Sequence, residues 1–126
     1  MERIELSNLN KTWIFDLDGT IVKYSGHKID GYDTFLPGAK EFLLSIDPDD
    51  YILFVTARSE KYREITMKFL DDEGIRYNQI LFGLPLGERI LVNDTKPSGM
   101  KTAYAITPTR DEFMKTTFTK EKTGNC

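Results

Sequence analysis

The chain has almost no cysteine or histidine and no long apolar run, and each shortage excludes a class of protein. Its one cysteine, Cys126, cannot form a disulfide within the chain, so we expect a reducing compartment. Its one histidine, His27, has none of the His, Cys or Glu neighbours that a zinc site needs. No stretch approaches ~18 consecutive apolar residues, and the charged start at Met1 to Glu5 lacks the apolar core of a signal peptide. We therefore expect a cytoplasmic protein with no membrane segment.

An excess of basic residues is also missing. The 17 Lys and Arg residues are scattered among 20 Asp and Glu residues, and the net charge is -3. Nucleic-acid binding normally requires a clustered basic patch, so the composition argues against a nucleic-acid partner. At 126 residues the chain can build one core but not a second domain of ordinary size. We expect a single domain over 1–126, with 1–10 as a lead-in and about 108–126 as a poorly ordered tail.

One short stretch carries most of the chemical information: Trp13 to Thr20, which reads Trp-Ile-Phe-Asp-Leu-Asp-Gly-Thr. Its apolar start predicts a buried strand of a parallel sheet. Ligands bind beyond the carboxyl ends of such strands, so Asp16 and Asp18 would face a ligand crevice. Asp16 could ligate Mg²⁺ with one oxygen and attack an electrophile with the other, while Asp18 could exchange a proton with the leaving group. The alternative is a plain turn, because Asp and Gly are ordinary turn residues.

The rest of the chain alternates predicted helices and strands, as in an α/β protein. Helices are predicted from Pro37 to Ile46, from a cap at Ser59 to Gly74, and over 111–117; strands are predicted over 51–55, 79–82, 90–92 and 102–106. The connection over 83–88 is shorter than a parallel crossover normally needs, so the strand before it is a short edge piece or is not parallel. Residues 21–36 have no helical period and predict a loop or short hairpin over the site, where His27 either contacts substrate or is exposed without a role.

Polar residues also follow two later predicted strands: Thr56 to Arg58 after one, and Asn93-Asp94 after the other. Alone, Thr56 is typical of a helix cap and Asn93-Asp94 of a turn. The carboxyl ends of parallel strands converge on one edge, which would bring these groups to the two aspartates of the first stretch. The combination predicts a phosphoryl-transfer site, with a cation and with the Thr56 hydroxyl donating to a phosphoryl oxygen.

The first stretch resembles the first motif of the haloacid dehalogenase (HAD) superfamily, Asp-x-Asp-Gly-Thr after an apolar strand. Val55 to Arg58 resembles its second motif and Ile90 to Asp94 its fourth, in the expected order, so the resemblance spans about 11–106. It implies a Rossmann-like, doubly wound parallel sheet in three layers, with a small flap and no inserted cap domain. It also implies catalysis by Asp16, Asp18 and Thr56, substrate contacts from Thr56, Ala57 and Arg58, and Mg²⁺ held by Asp16, Asp18 and Asp94.

The chain departs from the family pattern at the third motif, a Lys or Arg that braces the nucleophile and the phosphate. Where small relatives often have Gly-Lys-Pro, the sequence reads Gly83-Leu84-Pro85. The candidates to replace this cation are Lys96, Arg89 and Arg58. We prefer Lys96 because it follows Asp94 by two residues and Pro97 would hold its loop rigid. Arg89 precedes a predicted strand, which would put it at the wrong edge of the sheet, and Arg58 is expected to contact substrate.

Three functions follow from these observations. The first is Mg²⁺-dependent hydrolysis of a small phosphomonoester, such as a sugar phosphate or nucleotide, through a phosphorylated Asp16. With no lid, a second copy of the chain or a large substrate would close the site. The second is a phosphate-binding or partner protein of HAD-like fold without catalysis, suggested by Leu84 in the Lys position. The third is a nucleic-acid end phosphatase, suggested only by the Thr-Ala-Arg string and opposed by the acidic charge balance.

Overall fold

The computed structural model describes residues 2–121 and has a mixed α/β architecture with parallel strands in two small sheets. The strands are β1 (Arg3–Leu6), β2 (Thr12–Asp16), β3 (Tyr51–Val55), β4 (Gln79–Leu81) and β5 (Thr117–Lys120). The helices are α1 (Gly26–Ile29), α2 (Ala39–Ser45) and α3 (Arg63–Asp72), with a 3₁₀ turn over Glu60–Tyr62. No helix in this part of the chain combines the length and the apolar character that crossing a membrane requires.

The larger sheet has the order β2-β3-β4, and both pairings are parallel. Thr12 lies opposite Tyr51 and Asp16 opposite Val55, so the carboxyl ends of β2 and β3 are level with each other. The predicted strands over 13–15, 51–55 and 79–82 are confirmed. β4 is parallel to β3 and only three residues long. Of the two alternatives for the strand before the short loop, a short edge strand is therefore correct and a non-parallel strand is not.

The two longer helices form where their end signals indicate. α2 begins directly after Gly38, and Pro48 lies just beyond its end. The Ser59 hydroxyl accepts a hydrogen bond from the Lys61 backbone N–H at 3.3 Å, and this cap opens the turn that leads into α3. Gly74 follows α3 with φ +73°, a left-handed conformation that glycine adopts without a steric penalty.

The hydrophobic core lies on one face of the β2-β3-β4 sheet. Alternate residues of a strand point to opposite faces, and in β2 Phe15 is buried whereas Ile14 is 50% exposed. The buried apolar residues that form the core are Phe15, Leu17, Ile21, Val22, Leu36, Ala39, Leu43, Ile52, Phe54, Leu70, Ile75, Ile80 and Phe82. The core therefore joins the main strands to residues 17–36 and to α2 and α3, which anchors the segment next to the first motif.

Three predicted elements are wrong. Residues 90–92 and 102–106 form no strand, and Ile90 and Val92 are 86% and 90% exposed. A three-residue apolar run forms a strand only where it can pair with the edge of a sheet, and the run over 90–92 pairs with no described strand. The helix over 111–117 is also absent, because Asp111 has φ +65°, outside the right-handed helical region.

The two ends of the described chain pair with each other. β1 and β5 form a parallel two-stranded sheet in which Arg3 lies opposite Thr117 and Leu6 opposite Lys120. The Phe118 ring lies 5.2 Å from the Trp13 ring, so this sheet packs against the start of β2. The tail that was expected to be poorly ordered over about 108–126 is therefore partly ordered, since Thr119 and Lys120 belong to β5, and the lead-in contains β1; residues 122–126 lie outside the described chain.

Candidate functional site

Asp16 ends β2, and each of its carboxylate oxygens accepts one hydrogen bond. The Thr20 hydroxyl donates to Oδ2 at 3.0 Å, and the Arg89 guanidinium donates to Oδ1 at 3.0 Å. The Asp16 side chain is 31% exposed, so solvent and small molecules reach it. The Asp16 carboxylate has four lone-pair positions, and these two hydrogen bonds use two of them, so further donors or a cation can bind. Asp16 is therefore an accessible carboxylate beside a cation at the carboxyl end of a parallel strand.

Asp18 is held by Arg58, from the loop after β3. The Arg58 Nε donates to Asp18 Oδ2 at 2.9 Å and Nη2 donates to Oδ1 at 3.0 Å, which is a bidentate pair. The Ser25 backbone N–H also donates to Oδ1, at 3.3 Å. Arg58 was expected to contact substrate, but its donors point into the protein and its side chain is only 2% exposed.

The other donors of Arg58 bind Asp33 and Thr66. Nη1 and Nη2 donate to the two oxygens of Asp33 at 3.0 and 2.7 Å, and Nη1 also donates to the Thr66 hydroxyl at 2.8 Å. Burial disfavours the charge on Arg58, but the hydrogen bonds and charges of Asp33 and Asp18 outweigh it and raise the pKa of the guanidinium above its ordinary value. Arg58 therefore stays protonated at every physiological pH.

His27 is buried beside this pair, so the expectation of an exposed loop residue is wrong. Its Nδ1 lies 3.8 Å from Asp18 Oδ1 and 4.0 Å from Asp33 Oδ1, and neither ring nitrogen has a hydrogen-bond partner among residues 2–121. Burial, aided by the nearby Arg58 charge, lowers the pKa of the ring. His27 is therefore predominantly neutral at pH 7.

Thr56 lies directly after β3 and is almost completely buried. Its hydroxyl oxygen accepts a hydrogen bond from the Arg58 backbone N–H at 3.0 Å, and its backbone N–H donates to the Leu81 carbonyl. The Thr56 carbonyl accepts from Leu84 N–H, and the Arg58 carbonyl accepts from Gly83 N–H. These bonds hold the loop after β3 against the loop after β4. Ala57, between them, is partly buried.

The preferred replacement cation, Lys96, gains no support from the structure, and its role stays a prediction. Lys96 is exposed, and its ammonium forms no ion pair with any carboxylate of the described residues. Arg89 instead contacts Asp16. The preference for Lys96 assumed that 90–92 form a strand with Arg89 at its far edge; because no strand forms there, Arg89 is free to reach the carboxyl end of β2.

Part of a magnesium site fits the residues around Asp16. Mg²⁺ prefers oxygen ligands and keeps several waters. The Asp16 carboxylate is accessible, and the Asp18 backbone carbonyl accepts no hydrogen bond from the described residues, so both oxygens are available to a hard cation. Asp94, the third predicted ligand, lies on an exposed segment, and Thr102 donates to its backbone carbonyl rather than to its carboxylate. Its role as a ligand stays a prediction.

A second group has a spacing at which a metal could be held: Asp18, His27 and Asp33, whose ligand atoms lie within 4.8 Å of one another. Nothing in this group identifies Mg²⁺. Arg58 forms two hydrogen bonds to each of these carboxylates, and its single positive charge offsets one of their two negative charges. A divalent ion would have to enter beside a buried guanidinium, so Arg58 is the cation that this group holds.

Sequence reasoning missed several residues that contact the first motif or the side chains that hold it. Asp33 gave no signal, because it is an isolated acidic residue on a loop. Asp111 also gave none: its backbone N–H donates to the Gly19 carbonyl at 2.8 Å, and its carboxylate accepts from Tyr24 N–H at 2.7 Å. The Arg110 guanidinium stacks 3.8 Å over the Tyr24 ring. The segment around 110–111 therefore fastens the turn after Asp18.

Comparison of the chain with protein-family models, with curated proteins and with solved structures finds no match in any of the three.

Proposed function

We propose that this protein is a Mg²⁺-dependent phosphatase that hydrolyses a small phosphomonoester through a covalent phosphate on Asp16. The proposal includes a HAD-like, Rossmann-type core that contains the parallel β2-β3-β4 sheet. The substrate class is a sugar phosphate or a nucleotide. The acidic charge balance is the reason for leaving nucleic-acid ends aside.

One observation carries the proposal: the accessible carboxylate of Asp16, at the carboxyl end of a parallel strand, lies 3.0 Å from the guanidinium of Arg89. A nucleophilic carboxylate needs access to substrate, and the phosphoryl group that it attacks needs a cation next to it. Arg89 supplies the positive charge that Leu84 cannot. Its guanidinium can hydrogen-bond two phosphoryl oxygens at once, which an ammonium cannot do in the same planar geometry.

The reaction has two steps. One oxygen of Asp16 attacks phosphorus, the bond from phosphorus to the ester oxygen breaks, and the leaving alkoxide takes a proton from Asp18. Water then attacks the acyl phosphate, Asp18 takes its proton, and inorganic phosphate and the Asp16 carboxylate are released. Arg89 and the Thr56 hydroxyl donate hydrogen bonds to the non-bridging oxygens in both steps. A bound Mg²⁺ would supply further neutralisation of the phosphate charge.

The test is a turnover assay on a panel of sugar phosphates, nucleoside monophosphates and p-nitrophenyl phosphate, with Mg²⁺ and with EDTA. We expect turnover that requires the metal and that falls by about 10³-fold or more in Asp16→Asn. Borohydride trapping followed by peptide mass spectrometry should show homoserine in place of Asp16 in the wild type, which reports the acyl phosphate directly.

Asp30→Asn is the matched control, because Asp30 lies on the segment that follows the first motif but pairs with the exposed Lys23. We expect wild-type turnover from this variant. Metal-dependent turnover on no member of the panel would overturn the proposal. Turnover that survives Asp16→Asn would assign the activity to another group.

A specific observation favours the second candidate, a phosphate-binding protein without catalysis. Both oxygens of Asp18 accept hydrogen bonds from Arg58, so the group that should deliver a proton is already engaged. In this case calorimetry should detect binding of phosphate or a phosphate ester, Asp16→Asn should leave that binding largely intact, and no ester should be hydrolysed. Hydrolysis that is lost in Asp16→Asn would exclude this candidate.

A further inference from the structure

The Arg58 side chain uses every hydrogen-bond donor that it has. A guanidinium offers five N–H groups, and here two bind Asp18, two bind Asp33 and one binds Thr66, over distances of 2.7 to 3.0 Å. No donor is left for a substrate. The function of Arg58 therefore lies in what it holds in place.

The three charged side chains of this connection differ in exposure. The side chains of Asp33 and Arg58 are 3% and 2% exposed, whereas that of Asp18 is 17% exposed. The buried part is fixed further by Thr66, which belongs to α3. Asp33 and Arg58 thus form a buried charged pair. Arg58 holds Asp18, which is the partly accessible carboxylate within the first motif.

Asp18 keeps one acceptor position for chemistry. Its Oδ1 accepts from Arg58 Nη2 and from Ser25 N–H, but its Oδ2 accepts only from Arg58 Nε. A carboxylate oxygen has two lone-pair directions, so Oδ2 retains one. The guanidinium fork fixes both oxygens of Asp18 at once and so limits rotation of the carboxylate. A fixed carboxylate with one unused lone pair has the geometry that directed proton transfer needs.

We infer that Arg58 and Asp33 are positioning residues, which hold Asp18 so that its free oxygen position exchanges a proton with the ester oxygen at Asp16. This inference rests on the proposed function. The step balances without a further reagent: as the bond from phosphorus to the ester oxygen breaks, that oxygen takes the proton of Asp18, and the water of the second step returns a proton to Asp18. Arg58 keeps its own proton throughout.

The test compares kcat/KM for two esters in the same protein preparation. An alkyl phosphate such as glycerol 2-phosphate has a leaving group that needs a proton, whereas the leaving group of p-nitrophenyl phosphate departs as a stable phenolate. The ratio of the two kcat/KM values cancels any loss of folded protein. We expect Asp33→Asn to lower kcat/KM for the alkyl ester by about 10- to 100-fold and to change it little for the aryl ester.

Four further variants make the result decisive. Arg58→Lys keeps the charge but cannot hold two carboxylates through a planar fork, so we expect the same selective loss. Thr66→Val removes one acceptor of Arg58 and should give a smaller selective loss even if Asp33→Asn folds poorly, whereas Thr66→Ser should preserve the ratio. Asp30→Asn is the control and should also leave the ratio unchanged.

An unchanged ratio in Asp33→Asn and Arg58→Lys, with turnover present in the wild type, would overturn this inference alone. Equal losses on both esters would show a merely structural role and would overturn it as well. Absence of wild-type turnover on both esters would overturn the proposed function, and this inference with it. The wild-type assay therefore separates the two failures.

Discussion

At the residue scale, two arginines contact the aspartates of the first motif, and they differ in burial and in the number of hydrogen bonds that they donate. Arg58 is buried and saturated by Asp18, Asp33 and Thr66, whereas Arg89 is 41% exposed and contributes one hydrogen bond to Asp16. A partly exposed ion pair contributes little to stability, on the order of 0–1 kcal/mol, so the Asp16–Arg89 pair is easily opened by a ligand. Arg58 is suited to holding groups in place, and Arg89 to meeting a bound anion.

The first residue-scale prediction concerns Arg89. We expect Arg89→Ala to reduce phosphatase turnover by about 10²- to 10³-fold, because it removes the cation next to the attacked phosphoryl group. Arg89→Lys should restore part of this loss, since the charge remains and the fork does not. The measurement is kcat and KM for the best substrate of the panel, with the unfolding midpoint as a check on folding.

Arg63→Ala is the matched control for Arg89, because Arg63 also forms an exposed ion pair, with Glu60, but away from the first motif. It should retain wild-type turnover. If Arg89→Ala is fully active and Lys96→Ala is not, the original preference for Lys96 would be restored.

At the element scale, Asp50 joins the beginnings of the two longest strands. It directly precedes β3, and its carboxylate accepts hydrogen bonds from the Asn10 side chain, the Lys11 backbone N–H and the Trp13 indole N–H at 2.8 to 2.9 Å. Burial alone would raise the pKa of Asp50, but these three hydrogen bonds outweigh it and lower the pKa below its ordinary value. Asp50 thus links the start of β2 to the start of β3 through hydrogen bonds.

This lowered pKa gives an element-scale prediction with a defined sign. A group whose pKa is lower in the folded state stabilises the fold above its unfolded pKa, about 3.9 for Asp, and the stabilisation is lost as the pH falls toward the folded pKa. We expect Asp50→Asn to lower the free energy of unfolding by about 1–3 kcal/mol at pH 7, because one donor is left without an acceptor. The difference from the wild type should shrink below about pH 4.

Urea unfolding at pH 7, 5 and 3 measures this effect, and the single tryptophan, Trp13, is a direct fluorescence probe because it is one of the donors. The exposed neighbour provides the control: Asp49→Asn should leave the unfolding free energy unchanged within about 0.5 kcal/mol. A pH-independent difference between Asp50→Asn and the wild type would contradict the argument.

At the scale of the whole molecule, order is unevenly distributed along the chain. The main sheet, α2 and α3 all lie within 12–81, whereas 83–116 contain no helix or strand. Within that segment Leu86, Ile90 and Val92 are 86% to 91% exposed, so it gains little from hydrophobic burial. It is held by individual polar contacts to other parts of the chain, among them the Arg89 ion pair with Asp16 and the Asp111 hydrogen bond to Gly19.

The whole-molecule prediction is that trypsin cuts 83–116 first. Exposed backbone without regular structure opens at a low free-energy cost, so we expect the earliest cleavage after Lys101, since Pro97 blocks the bond after Lys96, and late cleavage after Arg63, which lies in α3. Mass spectrometry of timed samples measures the order. Fluoroberyllate with Mg²⁺ should slow cleavage after Arg89, because a phosphate mimic engages its guanidinium. Early cleavage within α3 would contradict this distribution of order.

Elements whose signals are local could be predicted from the sequence. The runs from Trp13 to Phe15 and from Tyr51 to Val55 have the apolar continuity of buried strands; both are strands in the structure, but Ile14 is 50% exposed, so β2 is not covered on both faces. Ser59 and Gly74 mark the ends of a helical segment through capping and left-handed backbone preferences, and they hold those positions. Asp16 was found for the same reason, because a carboxylate that ends an apolar run marks a strand end.

How distant segments meet depends on the packing of the folded chain. The pairing of β1 with β5 joins residues more than 110 positions apart, and neither strand has a strong pattern of its own. The choice of Arg89 over Lys96 beside Asp16, and the burial of Arg58 between Asp18 and Asp33, depend on which segments approach the end of β2. Such contacts arise from packing and from the hydrogen-bond requirements of buried charges, which no local pattern encodes.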